Sequence, residues 1–314
     1  MRTFSPRLAV AVLAAGLVLA GCHKGNQAPK VAIHGATPQE AVQSLVTPLE
    51  NGNFDALTQN LLPPAAYKQL RADWKEKQQK ALAKITEHDR QRFAKQMTAL
   101  TAPDAKQAEF AKLKPALDAW DSKYKQRVPM MVGIMRIMVG TKITQSDTMS
   151  ADQKSQARGV LDAVATWAQN TNWGDPAKAK QAVGIVVDTA RALKLKTLDD
   201  AYDLDYPEAM VRYGTAWKGF KQLTAVYGLS VDTILDSIKA KTLSVQGDTA
   251  KVELSYEVLG KPMTSDVTMQ REGKRWYLKR ALDKWHQEQA RLAAAASTAQ
   301  ATSVAPAAGS SVAR

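Results

Sequence analysis

The hydrophobic pattern of this chain changes its period once, and that change restricts the fold more than any other feature. Up to Leu229, apolar residues recur every three to four positions, as they do along the buried stripe of an amphipathic helix. Beyond it, over 239–280, apolar and polar residues alternate, which is typical of strands with one buried face. The sequence therefore predicts an α+β fold: a mainly helical region at 37–229, a four-stranded antiparallel β-meander at about 239–280, and a C-terminal helix at 281–292.

The alternation also predicts which strand residues face the core. We expect the helices to cover the apolar side chains, which are Leu243, Val245, Val252, Leu254, Tyr256, Val258, Val267, Met269, Trp276 and Leu278. Tyr277, the neighbour of Trp276, should then lie on the solvent side, because a shift of one residue exchanges the two faces of a strand. Gly-containing segments between the alternating runs supply the turns.

A short apolar run at the N-terminus predicts export. Arg2 and Arg7 precede it, small residues close it, and Cys22 at its end is the only cysteine of the chain. This is the layout of a secretory signal. The run from Leu8 to Ala20 is shorter than the roughly 20 apolar residues that a transmembrane helix needs.

The ending of this run, Leu19-Ala20-Gly21-Cys22, resembles the lipobox of bacterial lipoproteins. The resemblance implies a signal peptide at 1–21, cleavage before Cys22, acylation of Cys22 with fatty acids such as palmitate, and a mature protein tethered to a membrane. His23 and Lys24 follow with no Asp, which by resemblance to the lipoprotein-sorting rule favours the outer membrane. The expected location is the cell envelope, facing the periplasm. The alternative is an ordinary secretory signal with a cysteine at its cut.

Composition divides the mature chain into three parts. Residues 22–36 hold the lipidated Cys22 and a tether of Gly, Pro, Asn and Lys without hydrophobic period. Residues 37–292 carry the folded domain. Residues 293–314 are almost entirely Ala, Ser, Thr, Val and Pro, and we expect a disordered tail there.

Short motifs at both ends of the folded part resemble small bacterial lipoproteins of the nuclear-transport-factor-two-like superfamily. They are Thr37-Pro38-Gln39-Glu40-Ala41-Val42, Asn51-Gly52-Asn53-Phe54, Gly247-Asp248-Thr249-Ala250-Lys251-Val252 and Glu272-Gly273-Lys274-Arg275-Trp276-Tyr277. The resemblance covers Thr37–Pro64 and Lys241–Trp285. It implies a curved sheet wrapped around helices in a cystatin-like cone, often with a pocket, and leaves the middle of the chain as a large helical insertion.

Catalytic and metal-binding signatures are absent from the sequence. The four histidines show no zinc-binding spacing, and there is no nucleophile elbow or Gly-rich phosphate loop. We therefore expect no enzyme activity, no cofactor and no metal site. Tyr256 and Trp276 would line a pocket if the sheet encloses one, and otherwise they fill the core.

The stretch from Pro129 to Met138 has the most unusual composition of the mature chain. Exported Met-rich segments can bind copper(I) through soft thioethers. Here, however, Val and Ile separate the methionines, as in a buried helix where Met fills irregular gaps. We expect the methionines of this stretch to pack in the core: Met130, Met131, Met135 and Met138.

Charge is unevenly distributed along the chain, whose net charge is +13. From Ala65 to Val128 there are 15 basic and 8 acidic residues, a surplus of seven. Such a region could face anionic lipid, lipopolysaccharide or cell-wall polymer, but the interleaved acids favour a solvated helix face. An acidic cluster could hold calcium or could stabilise helix N-termini, and we favour the second. The cluster is Asp199, Asp200, Asp203, Asp205 and Glu208.

These features predict a lipid-anchored, non-catalytic protein of the cell envelope that binds or scaffolds a partner. The partners would be the membrane, through the anchor, and an envelope protein or anionic envelope polymer; export argues against nucleic acid. The alternative is a carrier of small molecules or lipids in a pocket between sheet and helices, and an enzyme comes third. An apolar pocket would favour the carrier. A filled core with a large exposed apolar patch would favour a partner-binding protein.

Overall fold

The computed structural model describes residues 35–147 and 149–303, and it confirms the predicted fold class. Thirteen α-helices precede the sheet in the described part of the chain. In order, α1 to α13 are Pro38–Gln43, Val46–Asn51, Phe54–Leu61, Pro64–Ala72, Trp74–Leu82, Glu87–Thr101, Ala105–Asp118, Val128–Thr144, Ala151–Asn170, Pro176–Leu193, Leu198–Asp203, Tyr206–Val226 and Val231–Asp236. A π-helical turn, Trp120–Tyr124, and a 3-10 turn, Lys125–Arg127, join α7 to α8.

The sheet is an antiparallel meander in the order β1-β2-β3-β4, as the alternating pattern predicts. Its strands are Lys239–Gln246, Thr249–Val258, Lys261–Glu272 and Arg275–Leu278, and the last helix, α14, is Lys279–Ser303. Val252 pairs with Val267, which places matching apolar side chains next to each other on one face. Gly247 and Gly273 take positive φ angles in the tight turns before β2 and β4.

The core lies between this sheet and the helices that pack on it. Helix α1 contacts β1, β2 and β4, α13 contacts β2, and α9 contacts β3. Val42, Leu254 and Met269 are almost completely buried in the resulting cluster. Trp217 of α12 joins the same cluster, and its indole nitrogen donates a hydrogen bond of 2.8 Å to the carbonyl oxygen of Leu49. Burial of apolar side chains against one face of the sheet is therefore what holds the two ends of the chain together.

Two sheet positions differ from the sequence prediction. Leu243 and Val245 were expected on the buried face, but both are exposed, and the pairing of β1 with β2 shifts between Thr242 and Ser244. Such a β-bulge inserts an extra residue and ends the simple alternation.

The prediction for Tyr277 is also wrong. Tyr277 is only 3% exposed, and its neighbour Trp276 is 7% exposed, so β4 is buried on both of its faces. Helix α14 follows β4 directly and contacts both β3 and β4.

The end of the last helix needs a correction as well. Helix α14 begins at Lys279, two residues earlier than expected, and continues to Ser303, so residues 293–303 are helical and do not form the expected disordered tail. Ala dominates this part, and Ala has the highest intrinsic helix propensity. The rest of the predicted tail, 304–314, lies outside the described residues, as do the predicted signal peptide and most of the predicted tether.

One acidic side chain at the edge of the core makes stability depend on pH. A carboxylate oxygen of Glu50, on α2, is buried without a hydrogen-bond partner. Burial raises the pKa of this carboxyl, the nearby charge of Asp236 raises it further, and Lys221 partly opposes them. Lys221 donates instead to the backbone carbonyl oxygen of Glu50, at 2.6 Å. The ionised form is therefore less favourable in the folded chain than in the unfolded one.

We expect Glu50→Gln to raise the melting temperature at neutral pH. Because the folded-state pKa is raised, the folded chain binds the proton more tightly, and the cost of ionisation disappears as the pH falls through that pKa. The gain from the substitution should shrink in the same range, which thermal melts between neutral and acidic pH would show. Glu257→Gln, at an exposed position of β2, serves as the control. A gain that is equal at all pH values would contradict this explanation.

Candidate binding surface

The candidate site is built on α8, which is the outermost layer of a three-layer stack. Helix α9 lies between the sheet and α8: it contacts β3 on one side and α8 on the other. On the sheet side, Gly159 lies close to the Met263 side chain, and Gln156 donates a hydrogen bond to the hydroxyl of Tyr256. Helix α9 thus connects the core to α8, and no other helix or strand of the described residues packs extensively on the far side of α8.

Polar and apolar contacts fix α8 on α9. The guanidinium of Arg136 lies 2.7 Å from a carboxylate oxygen of Asp162. Near the end of the helix, Arg158 donates to the hydroxyl of Thr144 at 2.7 Å, and Ile143 is buried. The inner side of α8 is therefore held at both its middle and its end.

The other side of α8 is apolar and exposed. We call the outer face the set of six large side chains Met130, Met131, Ile134, Met135, Ile137 and Met138. Their exposed fractions run from 41% for Met135 to 71% for Ile137. With 3.6 residues per turn, these positions fall within one half of the helix circumference, and Arg136 and Ile143 fall in the other half. The outer face is a continuous apolar surface and not a set of scattered side chains.

The sequence prediction that these methionines pack in the core is therefore wrong. The helix is apolar around its whole circumference, which is typical of a buried helix. In the structure only its inner half finds packing partners in the described part of the chain, namely α9 and the adjoining 3-10 turn. The residue composition of a helix does not distinguish one that is buried on all sides by its own domain from one whose second half is buried by another molecule.

Basic side chains surround the outer face. Between Trp120 and Gln145 the chain has five basic residues and one acidic residue. Lys123, Lys125 and Arg127 are exposed just before α8, and Lys142 is exposed near its end. The acid, Asp121, pairs with Lys125 at 3.1 Å. The apolar surface thus lies in a region of net positive charge.

None of the described helices is long and apolar enough to cross a membrane. Helix α8 has 17 residues and carries Arg136 and Lys142 among them.

A second candidate site lies between α3, α4 and α5 on one side and α14 on the other. It is a cleft of about 460 Å³ lined by Leu61, Leu62, Ala66, Gln69, Leu70, Lys77, Leu278, Arg280, Ala281, Lys284, Trp285 and Glu288. Its lining is mostly apolar, with three basic residues and one acidic residue. Tyr256 and Trp276 do not line it; both are buried in the core cluster. The predicted pocket residues therefore belong to the core cluster, and the cleft is lined mainly by helices, with Leu278 at the end of β4 as the contribution of the sheet.

The residues of the acidic cluster cap the N-termini of helices and form ion pairs. Asp200 accepts hydrogen bonds from the backbone N–H groups of Lys196 and Thr197 at 2.8 and 2.9 Å, and these bonds lower the pKa of its carboxyl. Asp205 caps α12 by accepting from the backbone N–H of Glu208 at 2.9 Å. Asp199 pairs with Arg90, and Asp203 with Lys75. This arrangement explains the cluster without a bound cation.

The part of the chain that the structure describes contains no group of three or more His, Cys, Asp or Glu residues placed to hold a metal ion. Cys22, the predicted lipidation site, lies outside the described residues. The basic region at 65–128 forms exposed helices in which several lysines pair with acids on their own helix, such as Lys80 with Glu76 and Lys114 with Asp118.

Comparison with known proteins gives no match: no protein family, no curated protein and no solved structure is significantly similar to this chain. The resemblance to nuclear-transport-factor-two-like lipoproteins therefore stays a prediction.

Proposed function

We propose that this protein is a lipid-anchored, non-catalytic binding protein of the cell envelope, and that it binds through the outer face of α8. The main support is the continuous exposed apolar surface of Met130, Met131, Ile134, Met135, Ile137 and Met138 on a domain that has a separate buried core. Large exposed apolar patches mark interaction sites on soluble domains.

The free energy gained by burying these apolar side chains supports this proposal. Fully burying a side chain of this size contributes about 1.5–3 kcal/mol relative to leaving it in water. Six such side chains on one helix are costly to expose unless another molecule covers them. Tyr256 and Trp276, which a carrier would use to line an internal pocket, are buried in the core cluster and do not line the cleft beside α14.

The proposal can be tested by measuring whether something covers α8 in the envelope. Cys22 is the only cysteine, and lipid modification would block its thiol, so an introduced cysteine becomes the only reactive thiol. We expect Ile137→Cys to react with a water-soluble maleimide in the purified protein after urea unfolding, but to be protected in isolated envelopes. The rate of labelling, followed by intact-protein mass spectrometry, is the measurement.

Val211→Cys is the matched control. Val211 lies on α12 and is 62% exposed, close to the 71% of Ile137, but it lies outside the outer face. The introduced thiol of Val211→Cys should be labelled at a similar rate in isolated envelopes and in the purified protein. Equal labelling of both positions in envelopes would mean that nothing covers α8, and the proposed binding role would be wrong.

The cleft beside α14 supports a second candidate, a carrier of an anionic amphiphile. Leu61, Leu70 and Trp285 provide apolar surface, and Lys77 and Lys284 provide positive charge at the rim. A volume of about 460 Å³ is within the range of small-molecule sites. This candidate remains second because the cleft leaves the outer face of α8 unexplained.

A further inference from the structure

We infer that the outer face of α8 docks in the plane of a lipid bilayer that contains anionic headgroups. This inference rests on the proposed function and names the partner of the same surface. It makes the protein a two-point membrane binder, with the acylated Cys22 as one point and α8 as the other.

Helix α8 is not amphipathic as a whole, because apolar residues also lie on its inner half against α9, but its exposed half carries the groups that a helix at a membrane surface uses. Such helices bury one apolar face at the boundary of headgroups and acyl chains and carry Lys or Arg beside it. Here Ile137 and Met130 point away from the domain, and Lys142 and Arg127 stand near the two ends of α8. Tyr124, just before the helix, is 41% exposed, and Tyr is enriched at membrane–water interfaces.

The tether permits this placement. Gly35, the first described residue, lies thirteen positions after Cys22, so the connecting chain spans at most about 45 Å. A domain of this size has a radius of gyration of roughly 18 Å. The lipid anchor therefore keeps the domain next to the bilayer and still lets it turn α8 towards the lipid.

Charge distinguishes the bilayer from the other candidates. A second copy packed by a two-fold axis would bring Lys142 and Arg127 towards the same residues of its partner, and like charges oppose such contacts. An anionic polysaccharide would satisfy the lysines but not the apolar side chains between them. An anionic bilayer satisfies both, because phosphates meet the basic groups while acyl chains meet Ile134 and Ile137.

The test uses the full acylated chain added to preformed vesicles. Ile137→Cys and Val211→Cys are labelled with a membrane-impermeant maleimide, and each rate is divided by the rate of the same thiol in guanidinium. Burial of one Ile side chain shifts an equilibrium by roughly tenfold or more. We therefore expect Ile137→Cys to be labelled about tenfold more slowly than Val211→Cys in vesicles of phosphatidylethanolamine and phosphatidylglycerol. The difference should decrease in vesicles of phosphatidylcholine alone and at high salt.

Two sets of second substitutions show what the protection depends on. In the Ile137→Cys chain, Ile134→Ser with Met138→Ser should remove most of it, because both side chains are exposed and contribute only apolar surface. Met130→Leu with Met138→Leu should keep it, since Leu is equally apolar. Circular dichroism melts check that each chain remains folded. Loss of protection on replacement by Leu would point to thioether chemistry, such as copper(I) binding, and would overturn the inference.

The remaining outcomes also decide between partners. Protection that is independent of the protein-to-lipid ratio supports the bilayer, and protection that appears only at high protein density would assign the face to a second copy. Protection in isolated envelopes but in none of the vesicles would assign it to an envelope protein or polymer. That result overturns the bilayer inference and leaves the proposed binding function intact.

Discussion

Trp276→Ala should destabilise the domain by about 3–5 kcal/mol, the range found when a buried aromatic side chain is truncated to Ala. Trp276 lies in the core cluster with Val252 and Met269, and the guanidinium carbon of Arg271 lies 5.7 Å from the centre of its ring. Removing the indole would leave a cavity in this cluster. Urea unfolding followed by circular dichroism measures the change in the free energy of unfolding.

The same experiment on Tyr277 separates the structure from the sequence prediction. Because Tyr277 is also almost completely buried, Tyr277→Ala should cost several kcal/mol, whereas a solvent-facing Tyr would cost less than about 0.5 kcal/mol. Thr268→Ala, at an exposed position of β3, is the control for a small effect. A near-neutral Tyr277→Ala would show that α14 does not cover β4 as described.

Cys22→Ser should have the largest effect on location. If the Leu19-Ala20-Gly21-Cys22 segment is a lipobox, serine at this position cannot be acylated, and the lipid mass disappears from the intact-protein mass spectrum. Two or more acyl chains anchor a protein stably, whereas an apolar helix face alone binds reversibly. The variant should therefore leave the membrane fraction in a high-salt wash, which wild type survives.

The folded domain gives the control for this experiment. Cys22 lies in the predicted tether that precedes the folded domain, so Cys22→Ser should leave the melting transition of the domain unchanged. An unchanged membrane fraction together with an unchanged mass would contradict acylation at Cys22. Loss of the lipid mass without release from the membrane would instead mean that α8 binds more strongly than we propose.

Much of the fold could be predicted from the sequence because each element carries its own period. In β2, Val252, Leu254 and Tyr256 alternate with polar residues, and all three are buried as expected. Helix α1 also begins with a local signal, a capping box formed by Thr37 and Glu40, in which the Glu40 backbone donates to the Thr37 hydroxyl at 3.2 Å. Such local signals depend on few residues and survive in any tertiary context.

Other features depended on neighbours that the local pattern does not contain. The burial of Tyr277 requires packing around β4 on both of its faces, and the exposure of Leu243 follows from its pairing with β2, in which Ala240 and Thr242 face Leu254 and Val252 of the buried face. For the candidate site, the sequence marked the Met-rich helix as unusual, but Met130 and Ile137 have the same composition whether their partner is the domain or another molecule. Only the arrangement of α8 on α9 shows that the outer half is left open.

The most direct test of the binding role is photo-crosslinking in intact cells. A diazirine side chain would replace Ile137 in the acylated full-length protein, and a second protein would carry it at Val211; both native side chains are exposed in the isolated chain. After illumination, mass spectrometry identifies what has been added at each position. We expect phospholipid adducts at position 137 and addition of water alone at position 211. Addition of water alone at both positions would show that the outer face of α8 is uncovered in the cell and would contradict the proposed role.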